Sequence, residues 1–363
     1  KTATQGTFKM LTSIPSSFNF LYKLTLRLVK KIIETGKLKA INFVNKKSFK
    51  PRAYNFILYC LNLPIVSQVY KSIYLPQIYR KSKKKPNTIV IEPYNVCNLA
   101  CTMCPYPDLT RPKEQMSMQL FEKVIDDAVN NNFKRLSLSL YNEPYMDSLV
   151  FDRIKYAKKK GLETEITTNA TLLTEELIQK TMSSGVDCVT FSIDSLDEKK
   201  YESIRVNASF KKTISNVKKM IAYRMQLNQK KPMLTMAAVL HGNDNSLNDM
   251  EDRLKGLDIY AVSMRDNRKD GQPTPGHLKA YPCFWPWNQL VVYSSGKIAL
   301  CCVDSDNAHD LGDLKRQTIN EVWESKVFKN LRKLLLKGQG DQIEICKDCD
   351  IPYRQSPVLW WAL

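Results

Sequence analysis

Val96-Cys97-Asn98-Leu99-Ala100-Cys101-Thr102-Met103-Cys104-Pro105 decides how this chain is read. The three cysteines are spaced C-x3-C-x2-C. They follow an apolar run, Thr88–Glu92, with the pattern of a buried strand. Thiolates are soft ligands that suit zinc and iron–sulfur clusters. Closed zinc sites take four ligands, and no fourth stands near these three. Three thiolates on one loop can instead hold three irons of a [4Fe–4S] cube and leave the fourth iron open.

Downstream, apolar strand-like runs alternate with amphipathic helical ones. The strands are expected at Thr88–Glu92, Leu136–Leu140, Thr164–Thr168, Cys188–Ile193, Leu234–Leu240 and Ile259–Met264. The helices are expected at Met118–Asn131, near 150–160, at Thr174–Ser184 and at Phe210–Arg224. Such alternation implies an α/β fold with a parallel sheet. Residues 88–266 would form an open or partial (β/α)6, TIM-like barrel. Working residues in such sheets lie just past the carboxyl ends of strands. The cysteine loop, Asn142-Glu143, Thr168-Asn169, Ser192 and Asp194 all fall there.

Cysteines after the first strand of six β/α units resemble the radical S-adenosylmethionine superfamily. The resemblance implies a [4Fe–4S] cluster on Cys97, Cys101 and Cys104, with S-adenosylmethionine chelating the open iron. It further implies reductive cleavage of that cofactor to a 5′-deoxyadenosyl radical, which abstracts a substrate hydrogen, and a reductase or flavodoxin-type electron donor. Met103 stands where many members carry an aromatic residue. Asn142-Glu143-Pro144 stands at the family's Gly-Gly-Glu-Pro segment, with only Glu-Pro matching. Thr168-Asn169 resembles its Thr-Asn-Gly. Ser192-Ile193-Asp194-Ser195 is similar to its Ser-x-Asp-Gly, with Ser195 replacing glycine. Arg205 matches an arginine that, with the serine, holds the cofactor carboxylate; a guanidinium clamps such a group with two parallel hydrogen bonds. Glu143, Ser192 and Arg205 are therefore the expected core of the cofactor site.

The last hundred residues hold Cys283, Cys301, Cys302, Cys346 and Cys349. A hairpin-like stretch at Leu290–Cys302 precedes a helical segment, Ile319–Lys337. The pattern C-x12-G-x4-C followed by C-x2-C resembles the SPASM/twitch extension of the same superfamily. No cysteine follows Cys349, as in the shortened twitch form. That implies a second, auxiliary [4Fe–4S] cluster on Cys283, Cys301, Cys346 and Cys349, with zinc as the alternative. Cys301 and Cys302 would face opposite sides of a strand. Cys302 is then a packed thiol or, speculatively, a hydrogen-atom donor. Cys60 and Cys188 read as buried small residues. His241, His277 and His309 show no metal-ligand spacing; His241 would lie at the barrel mouth. Trp285 and Trp287 flank a cluster ligand and read as packing.

The chain has 363 residues, ten cysteines and a net charge of +19. Residues 1–90 hold 18 Lys and Arg against the single acid Glu34, so nearly all the excess lies in the first quarter. Residues 15–47 have an amphipathic helical pattern, and 53–70 carry no charge but too many polar groups for a membrane span. Clustered cysteines outside a small secreted scaffold point to a reducing cytoplasm. The expected division is a basic helical region 1–86, a barrel 87–270 and an auxiliary-cluster domain 271–363. The basic region suits an anionic membrane surface on the inner face, or a solvated helical cap; nucleic acid is the less favoured partner. The leading functional expectation is oxidation or epimerisation of a carbohydrate-like, possibly lipid-linked, small-molecule substrate. The alternatives are maturation of a ribosomally made peptide, and a non-catalytic Fe–S or zinc protein binding nucleic acid through its N-terminus.

Overall fold

Strand β1, Thr88–Ile91, is three-quarters buried and lies near the middle of an eight-stranded sheet. The computed structural model describes residues 84–240, 261–265, 283, 285–347 and 349, all within the unit Tyr74–Tyr353. The expectations for residues 1–83, including the basic helix and Cys60, lie outside the described residues, as do His241 and His277.

The other strands are β2 (Arg135–Ser137), β3 (Glu163–Thr168), β4 (Cys188–Ser192), β5 (Met233–Leu240), β6 (Ala261–Arg265), β7 (Gln289–Val292) and β8 (Ile298–Ala299). Their order is β6-β5-β4-β3-β2-β1-β7-β8. Every pair from β6 to β7 is parallel, and only β7–β8 is antiparallel. The six β/α units thus form the expected partial, TIM-like barrel sheet. The C-terminal hairpin differs from expectation in one respect. Its first strand joins the barrel sheet directly, with Ile89 opposite Leu290 and Ile91 opposite Val292. The buried apolar run of β1 has two edges, and β2 satisfies only one; β7 supplies the backbone partners for the other.

The longer helices are α1 (Met118–Asn130), α2 (Val150–Lys159), α3 (Glu175–Ser183), α4 (Glu198–Ile204), α5 (Phe210–Gln226), α6 (Ile319–Glu324) and α7 (Lys326–Leu336), with a single helical turn, Trp285–Asn288, just before β7. Helix α1 starts where the Ser117 hydroxyl accepts from the Leu120 N–H, and it buries Phe121, Val124, Ile125 and Ala128. Thr174 caps α3 in the same way. Helix α2 ends at Gly161, whose φ of 85° needs a residue without Cβ. The expected single helix 319–337 is two, because Ser325 is extended (ψ 149°) and its hydroxyl caps the second.

One buried ion pair locks α2 to the start of α1. Arg153 Nε lies 2.8 Å from Asp147 Oδ2, both side chains are fully buried, and Arg153 Nη2 donates to the Met116 carbonyl. Replacing Arg153 with methionine leaves Asp147 an uncompensated buried carboxylate. The expected loss is about 3–5 kcal/mol of stability, measurable by urea unfolding.

Candidate active site

The parallel sheet carries its strand-end loops to one mouth. The cysteine loop is fixed there from two sides. Ala100 N–H donates to the Val206 carbonyl (3.1 Å) and Thr102 N–H to the Ile204 carbonyl (2.9 Å), pinning it to the end of α4. Glu143 N–H donates to the Val96 carbonyl (2.8 Å), tying it to the end of β2. Cys101 is buried, while Cys97 and Cys104 are half-buried.

Glu143 is buried at the centre of the expected cofactor residues. Its carboxylate accepts from Thr168 Oγ1 (2.8 Å), Asn169 N–H (2.8 Å) and Tyr145 N–H (3.2 Å). Asn169 in turn reaches Asn98 Oδ1 (2.9 Å) and Cys97 Sγ (3.9 Å). Glu143, Thr168 and Asn169 therefore form one network against the cysteine loop. Asn142 does not join it; its side chain bonds the Leu140 N–H and the Leu138 carbonyl. Pro144 opens a single 3-10 turn that carries Tyr145. Burial pushes the Glu143 carboxyl up to about 7 from an ordinary 4.5, against the pull of its three donors and Arg205. Between those two values the folded chain holds a proton that the unfolded chain releases, so stability falls as pH rises through that window and levels off above it. Without bound cofactor, Glu143 alone should contribute a fall of up to about 3 kcal/mol, and Glu143→Gln should remove that slope in unfolding measured from pH 4.5 to 7. Glu92, also raised by burial, leaves a residual slope of the same sign.

On the opposite side of the loop Arg205 is buried, with Nε 2.7 Å from Asp194 Oδ2 and Nη1 3.8 Å from Cys101 Sγ. Asp194 also accepts from the Val239 N–H at 2.8 Å. Arg205 is thus positioned by Asp194 beside a cluster cysteine. Ser192 ends β4, half-buried.

The second thiol set is gathered as well. Burial pushes the Cys283 thiol far up, and the charges of Cys349, Cys346 and Cys302 add to the rise. Burial also raises the Cys301 thiol well above its ordinary value, with Cys302, Cys283 and Cys346 adding to it, and burial pushes Cys346 to about 12. Trp285 Nε1–H donates to the Cys302 sulfur, and the Val303 N–H donates to Cys301 Sγ at 3.4 Å. Trp285 therefore contacts a cysteine of this set, whereas Trp287 is buried packing.

Both sets fit iron–sulfur clusters by donor chemistry. Their donors are thiols, and burial raises Cys97 to about 11 and Cys101 above its ordinary value, so only a bound cation would hold them as thiolates. Among the described residues no three His, Cys, Asp or Glu groups stand close enough to share one metal ion. Cys97, Cys101 and Cys104 would hold the first cluster; Cys283, Cys346, Cys349 and one of the Cys301–Cys302 pair would hold the second.

A further pair was not anticipated from the sequence. Glu92, the residue after β1, is fully buried and 2.7 Å from Arg111 Nη1. Glu92 also accepts from the Tyr141 N–H (3.2 Å), and Arg111 Nε donates to the Ser305 carbonyl (2.6 Å). Arg111 stacks on the Tyr293 ring at 4.0 Å. Tyr141 OH donates to the Cys302 carbonyl. The signal in the sequence was a lone acid ending an apolar strand.

Residues 91–253 match the family model described as the radical SAM superfamily, and residues 283–350 match the iron–sulfur cluster-binding domain named SPASM. The chain thus carries a radical SAM domain and a SPASM domain, and these domains imply the [4Fe–4S] cluster, S-adenosylmethionine and an auxiliary iron–sulfur site. Among curated proteins it is similar to the tungsten-containing aldehyde ferredoxin oxidoreductase cofactor-modifying protein of Pyrococcus furiosus, with 31% identity over 40% of this chain and 41% of that one. It is also similar to GTP 3′,8-cyclase of Clostridium botulinum, with 26% identity over 51% and 57%. The match thus spans only about half the length of these relatives. Among solved radical SAM structures, BtrN in complex with AdoMet and 2-DOIA aligns with a TM-score of 0.51 and 20% identity, covering 74% of this chain and 94% of that one. Streptococcus suis SuiB bound to precursor peptide SuiA aligns with a TM-score of 0.57 and 16% identity, covering 90% and 84%. These likenesses are of fold.

Proposed function

We propose that this radical SAM enzyme oxidises or epimerises a carbohydrate-like small molecule, free or lipid-linked, with a flavodoxin-type reductase as electron donor. When bound, the first cluster and S-adenosylmethionine supply the radical that removes a substrate hydrogen. The protein's part is to hold the cofactor through Glu143, Asn169, Asp194 and Arg205, with Ser192 and Thr168 beside them. Asp194 acts by orienting Arg205, and Thr168 by orienting Glu143.

The observation that carries this reading is the adjoining of the two thiol sets through Tyr141. This residue stands two positions before Glu143 and bonds the carbonyl of Cys302. The substrate would lie near Tyr141, Arg111 and Tyr293, whose polar groups suit hydroxyl-bearing ligands. The buried Tyr293 OH and Arg111 Nη2 have no hydrogen-bond partner among the described residues. A second cluster beside the substrate favours net two-electron oxidation, because it can accept the electron left after hydrogen removal. The peptide-maturation reading rests on the fold shared with peptide-bound SuiB.

Ring-deuterated aminocyclitols and sugars, and α-deuterated short peptides, should be offered to the reduced holoenzyme, with deuterium in 5′-deoxyadenosine read by mass spectrometry. Transfer from a cyclitol or sugar supports the proposal. Transfer from peptides alone overturns it in favour of maturation.

A further inference from the structure

The end of the sheet opposite the mouth is strongly basic. Because β1 to β6 are parallel, the residues that precede each strand all gather at this rim. Backbone bonds fix its first row: Lys134 N–H to the Asn87 carbonyl (2.7 Å), Glu163 N–H to Lys134 (2.9 Å), Asp187 N–H to Thr164 (3.0 Å) and Met233 N–H to Asp187 (2.8 Å). Arg135 pairs in register with Thr88 on one side and Glu163 on the other. Lys84 precedes β1, Lys158, Lys159 and Lys160 end α2, and Lys230 and Lys231 precede β5.

The carboxylates at this end are mostly engaged. Asp187 is shared by Lys158 and Lys231, each at 2.6 Å. Asp126 holds Lys160 at 2.6 Å, and Asp127 accepts from the Ile319 N–H. Glu163 is the remaining exposed acid on the rim. Lys84, Lys134, Arg135, Lys159 and Lys230 are exposed and without a carboxylate partner. The connection from α5 to β5 adds apolar groups: Met225 (68% exposed), Met233 (46%) and Leu227 (41%) are half of the large apolar side chains left exposed among the described residues. Lys84 and Lys85 lead into β1 at this same rim.

We propose that this rim docks on an anionic lipid surface, with Lys84, Lys134, Arg135, Lys159 and Lys230 facing the headgroups and Met225, Leu227 and Met233 entering the interface. Exposed aliphatic side chains among unpaired lysines are the composition of an interfacial membrane contact. Single-stranded nucleic acid sites instead offer aromatic platforms, and none of the exposed large apolar side chains is aromatic. The inference stands apart from the reaction assigned above. It goes beyond the charge of residues 1–86, because it places binding groups on the barrel itself. Docked in this way, the mouth faces water, which favours the free over the lipid-linked form of the proposed substrate.

The test uses the full chain, phosphatidylcholine vesicles with and without phosphatidylglycerol, and a poly(U) oligonucleotide. The wild type should float only with the phosphatidylglycerol vesicles. Lys134→Glu, Arg135→Glu and Lys230→Glu combined should weaken binding by more than about tenfold. Met225→Ser with Leu227→Ser should weaken it several-fold and leave its salt sensitivity. Should the triple variant unfold, Lys159→Glu with Lys230→Glu repeats the charge test at exposed sites. Wild-type flotation by the folded variants would assign any membrane binding to residues 1–86 and overturn the proposal. So would absence of flotation by the wild type, or tighter binding to poly(U) than to vesicles.

Discussion

Cys101→Ala should lower reductive cleavage of S-adenosylmethionine by more than about 100-fold, since altering mere supports of a metal ligand already costs 10–100-fold. Cys101 is buried in the middle of its loop, and Arg205 reaches its sulfur from an ion pair with Asp194. No other described cysteine is placed to replace it: Cys188 contacts the hydroxyls of Thr190 on its own strand and Thr235 on the neighbouring strand. Iron content should fall from about eight to about four per chain if each set holds a cube. Cys188→Ala is the control and should leave both iron content and cleavage unchanged. Anaerobic reconstitution followed by iron analysis and chromatography of 5′-deoxyadenosine reads both quantities.

Cys283→Ala should produce the complementary result. Iron again falls from about eight to about four, but cleavage of S-adenosylmethionine without substrate stays within a few-fold of the wild type. The reason is that the two thiol sets are built on different segments. The first is pinned to β2 and α4, the second to the turn before β7, the end of β8 and the turn containing Cys346. Cys302→Ala then identifies the ligand within the adjacent pair. Retained iron selects Cys301, the residue expected from the G-x4-C spacing; lost iron selects Cys302, which receives the indole hydrogen bond.

The barrel was legible because each strand is a short apolar run and each helix buries one face, as Phe121, Val124, Ile125 and Ala128 do on α1. The residues gathered around Glu143 and Arg205 were legible because they fall at successive strand ends. Three features were not. Helix α4 is short and charged, Glu-Lys-Lys-Tyr-Glu-Ser-Ile, so it shows little periodicity. The pairing of β7 with β1 joins segments two hundred residues apart, and apolar runs do not name their neighbours. The Glu92–Arg111 pair spans nineteen residues of loop and helps place Tyr141 beside the second thiol set. Asn142 was assigned to the cofactor by its position in the motif, but its amide is used on its own turn.

Two iron–sulfur clusters, only one of them open to S-adenosylmethionine, should be visible by electron paramagnetic resonance of the reduced, reconstituted chain, with iron and sulfide counted on the same sample. The prediction is about eight irons and eight sulfides per chain and two reduced-cluster signals, of which S-adenosylmethionine shifts one. About four irons accompanied by zinc, or two signals both indifferent to S-adenosylmethionine, would contradict it.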